Sequence, residues 1–291
     1  GMSTVGDENS LIFSRLATYM NERPDFIDSA MISELEKLYG VCTEEAFSLL
    51  LCAALGFDTS FESDRLLWER YAPHMLHRLD EAYFSADPFA AAVGAVAGGR
   101  KGVWELVHSV LPAYSLVACG DPVTLPDGRV IPQVGYFDTD YHYIAVLEQG
   151  REWMTMLPNE SITQRVPIAA ARGRVLTYGL GLGYYAFMTS RRAEVTDVTV
   201  VERDKNVILL FESLILPCFS HPEKLHIVCA DAFEYAEHSA PQGGFDCVFA
   251  DIWHDPSDGV AAYKRFRQYE PLFPAGTRFD YWIEDTIKLY L

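Results

Sequence analysis

Val175-Leu-Thr-Tyr-Gly-Leu-Gly-Leu-Gly183 runs β-favouring residues straight into three alternating glycines. Three more short β-rich runs follow it: Val198-Thr-Val-Val-Glu202, Ile227-Val-Cys-Ala-Asp231 and Cys247-Val-Phe-Ala-Asp251. Each of these ends in a carboxylate. In an open α/β sheet the ligand sits at the carboxyl ends of the strands. The four segments therefore put a glycine turn and three acids on one rim.

The stretches between them read as helices. Tyr184 to Ser190 is a short one, Asp204 caps another through Leu214, and Ala232 to Glu237 and Asp258 to Leu272 supply two more. A fifth strand-like run spans Arg278 to Ile283. Alternating strands and helices predict an α/β fold with right-handed crossovers. The expected architecture is a Rossmann-like parallel sheet of order 3-2-1-4-5.

Upstream the character changes twice. Residues 5 to 95 read as helices, with Leu11, Ile12, Leu16 and Met20 at helical spacing. Gly40 is a C-cap candidate and Thr43 an N-cap candidate. From residue 96 to 172, prolines and Asp127-Gly128 punctuate short β-rich runs. Tyr141 to Leu147 and Trp153 to Leu157 flank Glu148-Gln-Gly-Arg151, a hairpin turn. The domains expected are a helical one over 1–100, a small antiparallel β-hairpin unit over 101–172 and the Rossmann-like one over 173–291.

Charge excludes some partners. Forty-one acidic residues against 23 basic ones leave a net charge of −18. Nucleic acid and anionic membrane surfaces need a basic footprint, which is missing here. A small-molecule substrate is expected instead. No run approaches the roughly 18 apolar residues of a membrane span. Six cysteines without a Cys-x-x-Cys pair suggest buried thiols and a cytoplasmic location. Gly1 before Met2 reads as a tag remnant, and no signal peptide is expected.

The rim carries the chemistry. Glycines at 179, 181 and 183 allow a sharp turn and a close ligand approach. Glu202, at the end of the next strand, is placed to accept both hydroxyls of a ribose. Gly181-Leu-Gly-Tyr-Tyr-Ala186 also fits a nicotinamide-binding pattern, but that leaves Asp231 and Asp251 without a purpose. Asp231, with Ala232, is positioned for an adenine amino group. Asp251 is a candidate to orient an acceptor, and His254 to act as a base near neutral pH. Trp253 is a candidate for a cation–π contact to a sulfonium. Tyr141 and His142 are candidates to line the pocket from the β-unit. Asp251, Asp255 and Asp258 lack a convincing further ligand set, so no metal is expected.

These motifs, in this order, resemble the class I S-adenosylmethionine-dependent methyltransferases over about residues 174–285. The resemblance implies that Gly179, Gly181 and Gly183 face the methionine part of the donor. It also implies that Glu202 holds the ribose, Asp231-Ala232 the adenine, and that Asp251 stands beside the transferred group. Asp140-Tyr-His-Tyr-Ile-Ala-Val-Leu-Glu148, Asn159-Glu-Ser-Ile-Thr-Gln164 and Asp251-Ile-Trp-His-Asp-Pro256 are similar to the spermidine synthases, and imply that Gln164 reaches the substrate. Three positions depart from that family. Leu182 stands for an aspartate, Thr163 for a tyrosine and Arg165 for an acid. An arginine in the pocket would repel a polyamine.

The function expected is methyl transfer from S-adenosylmethionine to a small molecule. Aminopropyl transfer from decarboxylated S-adenosylmethionine is the alternative, and donor binding without turnover a third possibility. An edge strand near 278–283 and an apolar tail predict a homodimer, or else docking of this end against the chain's own N-terminal helices.

Overall fold

Five parallel strands form the central sheet of the computed structural model, which describes residues 4–291. They are β1 (Gly173–Tyr178), β2 (Val195–Glu202), β3 (Leu225–Cys229), β4 (Cys247–Ala250) and β5 (Arg278–Tyr281). Their order is β3-β2-β1-β4-β5, as the sequence predicts. The Gly1-Met2 start lies outside the described residues.

Both faces of this sheet are covered, and its inner strands are buried almost throughout. The pleat sends alternate residues to opposite sides. Val175, Val198, Val200, Cys247 and Phe249 join one core with Phe187 and Phe211. Leu176, Tyr178, Val201, Val248 and Ala250 join the other with Phe266. The crossovers are α1 (Tyr184–Ser190), α2 (Lys205–Leu214), α3 (Ala232–His238) and α4 (Pro256–Tyr269). Asp204 caps α2 by accepting from the Asn206 and Val207 amides.

The chain divides into two compact units, but not at the boundaries the sequence suggests. One comprises the residues up to Phe84 together with Val110–His142, and the other Ser85–Ser109 with Tyr143–Leu291. Long-range pairing is the reason. A strand at Leu76–Leu79, inside the stretch read as helical, pairs in parallel with Val134–Phe137. Leu116, Ile131, Val134 and Tyr136 then pack with Ile12, Leu16, Phe47 and Tyr71 in the first unit's core. In the second unit the antiparallel sheet includes residues 104–109 and 143–148 and the strand Arg151–Thr155. Its hairpin turns at Gln149 and Gly150, both with positive φ, where the sequence places it.

Two local expectations change. Gly40 is the left-handed C-cap expected, but Thr43 is the first helical residue, and Cys42 is the cap. The Thr43 hydroxyl donates instead to Glu36 Oε1 at 3.4 Å. All six cysteines are free. Among the described residues no helix is long and apolar enough to cross a membrane.

Candidate active site

The loop after β1 is glycine-rich for two different reasons. Gly179 has φ +92°, and a Cβ there would come within 2.2 Å of the Asp251 carbonyl oxygen. Gly183, also at φ +92°, would drive a Cβ to 2.4 Å from the Phe211 ring on α2. These two are fixed by the chain's own packing as well as by their backbone conformation. Gly181, at φ +57°, is different: a Cβ would meet only the Met154 sulfur, at 3.7 Å. It is the position of the loop that leaves room beside the backbone. Met154 belongs to the hairpin, so the antiparallel sheet flanks the loop.

Glu202 closes the loop from β2. Its Oε1 accepts from the Leu180 amide at 3.2 Å, and its Oε2 from the Asp204 amide at 3.0 Å. Each carboxylate oxygen keeps a free lone pair for a further donor. A fixed acceptor beside a turn with open backbone fits a ribose. Asp231 is half-buried at the end of β3, with Ala232 next to it, and caps α3 by accepting from the Glu234 amide at 3.0 Å.

Asp251 ends β4, and its amide donates to the Tyr178 carbonyl at 3.0 Å. Its backbone thus abuts Gly179, and its carboxyl comes under the influence of Glu160. Both carboxyls are half-buried. Burial strips most of their water and pushes both pKa values up. Asp251 is raised well above its ordinary value, first by burial and then by the charge of Glu160. Glu160 is raised to about 7 by burial, partly offset by a hydrogen bond from Gln164. That bond runs from Gln164 Nε2 to Glu160 Oε1 at 2.7 Å, one turn along a short helix. Gln164 is only 1% exposed, and its own Oε1 has no donor among the described residues.

Neighbouring groups wall this cluster. The Tyr184 hydroxyl, at the start of α1, donates to Asp87 Oδ2 at 2.8 Å. Trp282, just after β5, donates from its indole to Thr163 Oγ1 at 2.9 Å, and Thr163 donates to the Asn159 carbonyl at 2.6 Å. Thr163 is thereby engaged by a side chain from the far edge of the sheet. Arg165, read as a pocket residue, is exposed, and Leu182 is buried in the core.

The structure places the other candidate residues as follows. Trp253 is 4% exposed and donates to the Trp282 carbonyl at 3.1 Å. A Cβ on Gly259 would touch its ring at 2.8 Å, so Trp253 is a packing residue of the loop. His254 is exposed, with its ring edge-on to Trp153 at 3.6 Å between centroids. It stands at the surface, whereas Asp251 and Glu160 are half-buried. Asp255 and Asp258 form a reciprocal capping box at the start of α4. Tyr141 stacks on Phe137 at 4.2 Å within the first unit's fold, and His142 beside it is exposed. Glu160 is the residue the sequence reading passed over. Its signal was an acid four positions before a glutamine, on one helical face.

No protein-family profile matches this chain, and no curated protein matches it. Solved structures do. The spermidine synthase of Thermotoga maritima aligns at 18% identity over 58% of this chain and 51% of that one, with a TM-score of 0.33. A spermidine synthase in complex with the transition-state analogue AdoDATO aligns at 17% identity over 64% of this chain and 57% of that one, with a TM-score of 0.38. The chain thus spans little more than half the length of these two structures. The class its own sheet defines is Rossmann-like α/β, with the strand order of the class I methyltransferase fold.

Proposed function

We propose that this protein is a cytoplasmic transferase that moves an aminopropyl group from decarboxylated S-adenosylmethionine to a small amine. The observation carrying this reading is the pair of half-buried acids, Asp251 with its backbone against Gly179 and Glu160 whose charge raises the Asp251 carboxyl. An acidic site attracts a cationic acceptor and repels a donor that bears a carboxylate. Arg165, the residue that argued against a polyamine, is exposed.

Each residue then has a task. Glu202 accepts from the ribose hydroxyls, Asp231 and Ala232 flank the adenine, and Gly181 leaves space for the chain carrying the sulfonium. Asp251 takes the proton that the attacking amine must lose, and orients its lone pair toward the carbon on sulfur. As the new C–N bond forms, the C–S bond breaks and a neutral thioether leaves.

Methyl transfer from S-adenosylmethionine is the second reading. Leu182 favours it, because the loop lacks an acid at the position where the spermidine synthases carry one. Donor preference separates the two. A larger rise in melting temperature with decarboxylated S-adenosylmethionine than with the carboxylated form is expected, since a ligand of the native state stabilises it. The reverse preference would favour methyl transfer.

A further inference from the structure

Ile283 lies in the left-handed region, at φ +49° and ψ +38°, and is buried. That conformation crowds the Cβ of any L-residue, and a β-branched one most. Strain of this kind persists only where the surroundings hold it, and it clusters at active sites and clamps. The group it aims here belongs to Trp282. The φ of Ile283 orients the peptide plane that carries the Trp282 carbonyl. This carbonyl turns toward the loop after β4 and accepts from the Trp253 indole at 3.1 Å.

Trp282 makes two more bonds. Its amide donates to the Ala250 carbonyl at 2.9 Å, and its indole donates to Thr163 Oγ1 at 2.9 Å. Ala250 and Trp253 bracket Asp251 in sequence. Thr163 ends the helix Pro158–Thr163, which carries Glu160, and its hydroxyl donates in turn to the Asn159 carbonyl. The Trp282 ring packs against the cores on both faces of the sheet. One half-buried residue thus grips two segments that are remote in sequence and that both line the candidate site.

We infer that Trp282 is a positioning residue, which fixes the Asp251 loop and the helix Pro158–Thr163 in one register, so that Asp251 meets an acceptor in the geometry that transfer needs. This rests on the transferase reading, in which Asp251 takes the proton of the attacking amine. Trp282 acts through the backbone on either side of Asp251, not by touching donor or acceptor. Displacement at carbon tolerates little misplacement, and about 1 Å costs up to about 100-fold in rate. Donor binding is set elsewhere, by the glycine loop and Glu202. Loss of the grip should therefore lower kcat and spare the donor KM.

Two substitutions cut the same bond from opposite ends. Trp282→Phe keeps an aromatic ring without the N–H. Thr163→Val keeps the shape of threonine without the oxygen, and Thr163→Ser keeps the oxygen. Hydrogen exchange is followed in peptides covering 158–164 and 250–255. Turnover is followed with decarboxylated S-adenosylmethionine and a panel of primary mono- and diamines. Trp282→Phe and Thr163→Val should each speed exchange about three- to tenfold in both segments, as the loss of one hydrogen bond implies. Exchange in α2 should match the parent. Each should lower kcat about 10- to 100-fold, with the donor KM within about twofold. The double variant should be no slower than the worse single one, because the pair acts as a unit. Thr163→Ser should match the parent in both measurements.

Exchange reads the grip, and turnover reads the transferase proposal. If the parent turns over no amine of the panel while Thr163→Val loosens residues 250–255, the grip stands and the transferase reading falls. The inference is overturned if Thr163→Val loosens its own helix alone, or if the two losses add in the double variant. It is also overturned if the donor KM rises while kcat holds. Loosening of both segments with kcat unchanged overturns it as well, since Asp251 would then be placed without Trp282.

Discussion

Replacing Glu160 by glutamine should make the folded protein more stable at alkaline pH. The reason lies in where the carboxyl is held. Its pKa stands at about 7 against an ordinary 4.5, with burial the main cause. A raised carboxyl means that the folded state binds its proton more tightly than the unfolded chain does. Its contribution is fully present below about pH 4.5 and is lost as pH rises through about 7. Moving a pKa by one pH unit takes about 1.4 kcal/mol, so the full loss is about 3 kcal/mol. Solvent reaching the half-buried groups reduces this to about 2 kcal/mol. Glutamine keeps an oxygen for Gln164 Nε2 and brings an amide N–H that suits the acceptors nearby. Removing the charge also relieves Asp251, which feels it directly. Urea unfolding at about pH 5 and about pH 8 provides the assay. The variant should match the parent at the lower pH and exceed it by about 2 kcal/mol at the higher one. Parallel pH dependences for the two proteins would refute the reasoning.

Other consequences follow from the same geometry. Glu202→Ala should weaken nucleoside binding by about 1–3 kcal/mol in calorimetry, because a fixed, half-buried acceptor is lost. Gly183→Ala should lower stability by about 1–3 kcal/mol in denaturant melts, since its φ is +92° and the new methyl would strike Phe211. Trp253→Phe should cost about 1 kcal/mol of stability by losing the bond to the Trp282 carbonyl. It should leave donor affinity unchanged, whereas a cation–π role would reduce it. Leu289, Tyr290 and Leu291 are all about half exposed beyond β5. We propose that they are covered in a homodimer, so light scattering at micromolar concentration should give twice the chain mass.

The rim was legible because its residues carry their position with them. Glycines after a β-run and acids at strand ends state both the sheet and its ligand side, and the 3-2-1-4-5 order followed. Asp251 and Glu202 sit where that reading put them. Glu160 was harder to see, because its importance comes from Asp251, which is remote in sequence. The pairing of Leu76–Leu79 with Val134–Phe137 was hidden for the same reason, since no local pattern announces that partnership. Trp253 was misread because an indole in a site loop looks alike whether it faces a ligand or fills the core. Its fate depends on Gly259 and Trp282, which pack against it only in the fold. Arg165 was placed in the pocket by resemblance of a motif, while it opens the short helix Arg165–Ala170 and is exposed.

The central claim is that the acidic cluster beside the glycine loop serves alkyl transfer to an amine. Its most direct test is product analysis after incubating the purified protein with decarboxylated S-adenosylmethionine and a panel of primary mono- and diamines. Methylthioadenosine should appear at a rate that depends on the amine, together with an aminopropylated product. Asp251→Asn should suppress that rate far more than it changes donor affinity. If methylthioadenosine does not form with any amine, while S-adenosylmethionine yields S-adenosylhomocysteine with a methylated acceptor, the aminopropyl account is contradicted.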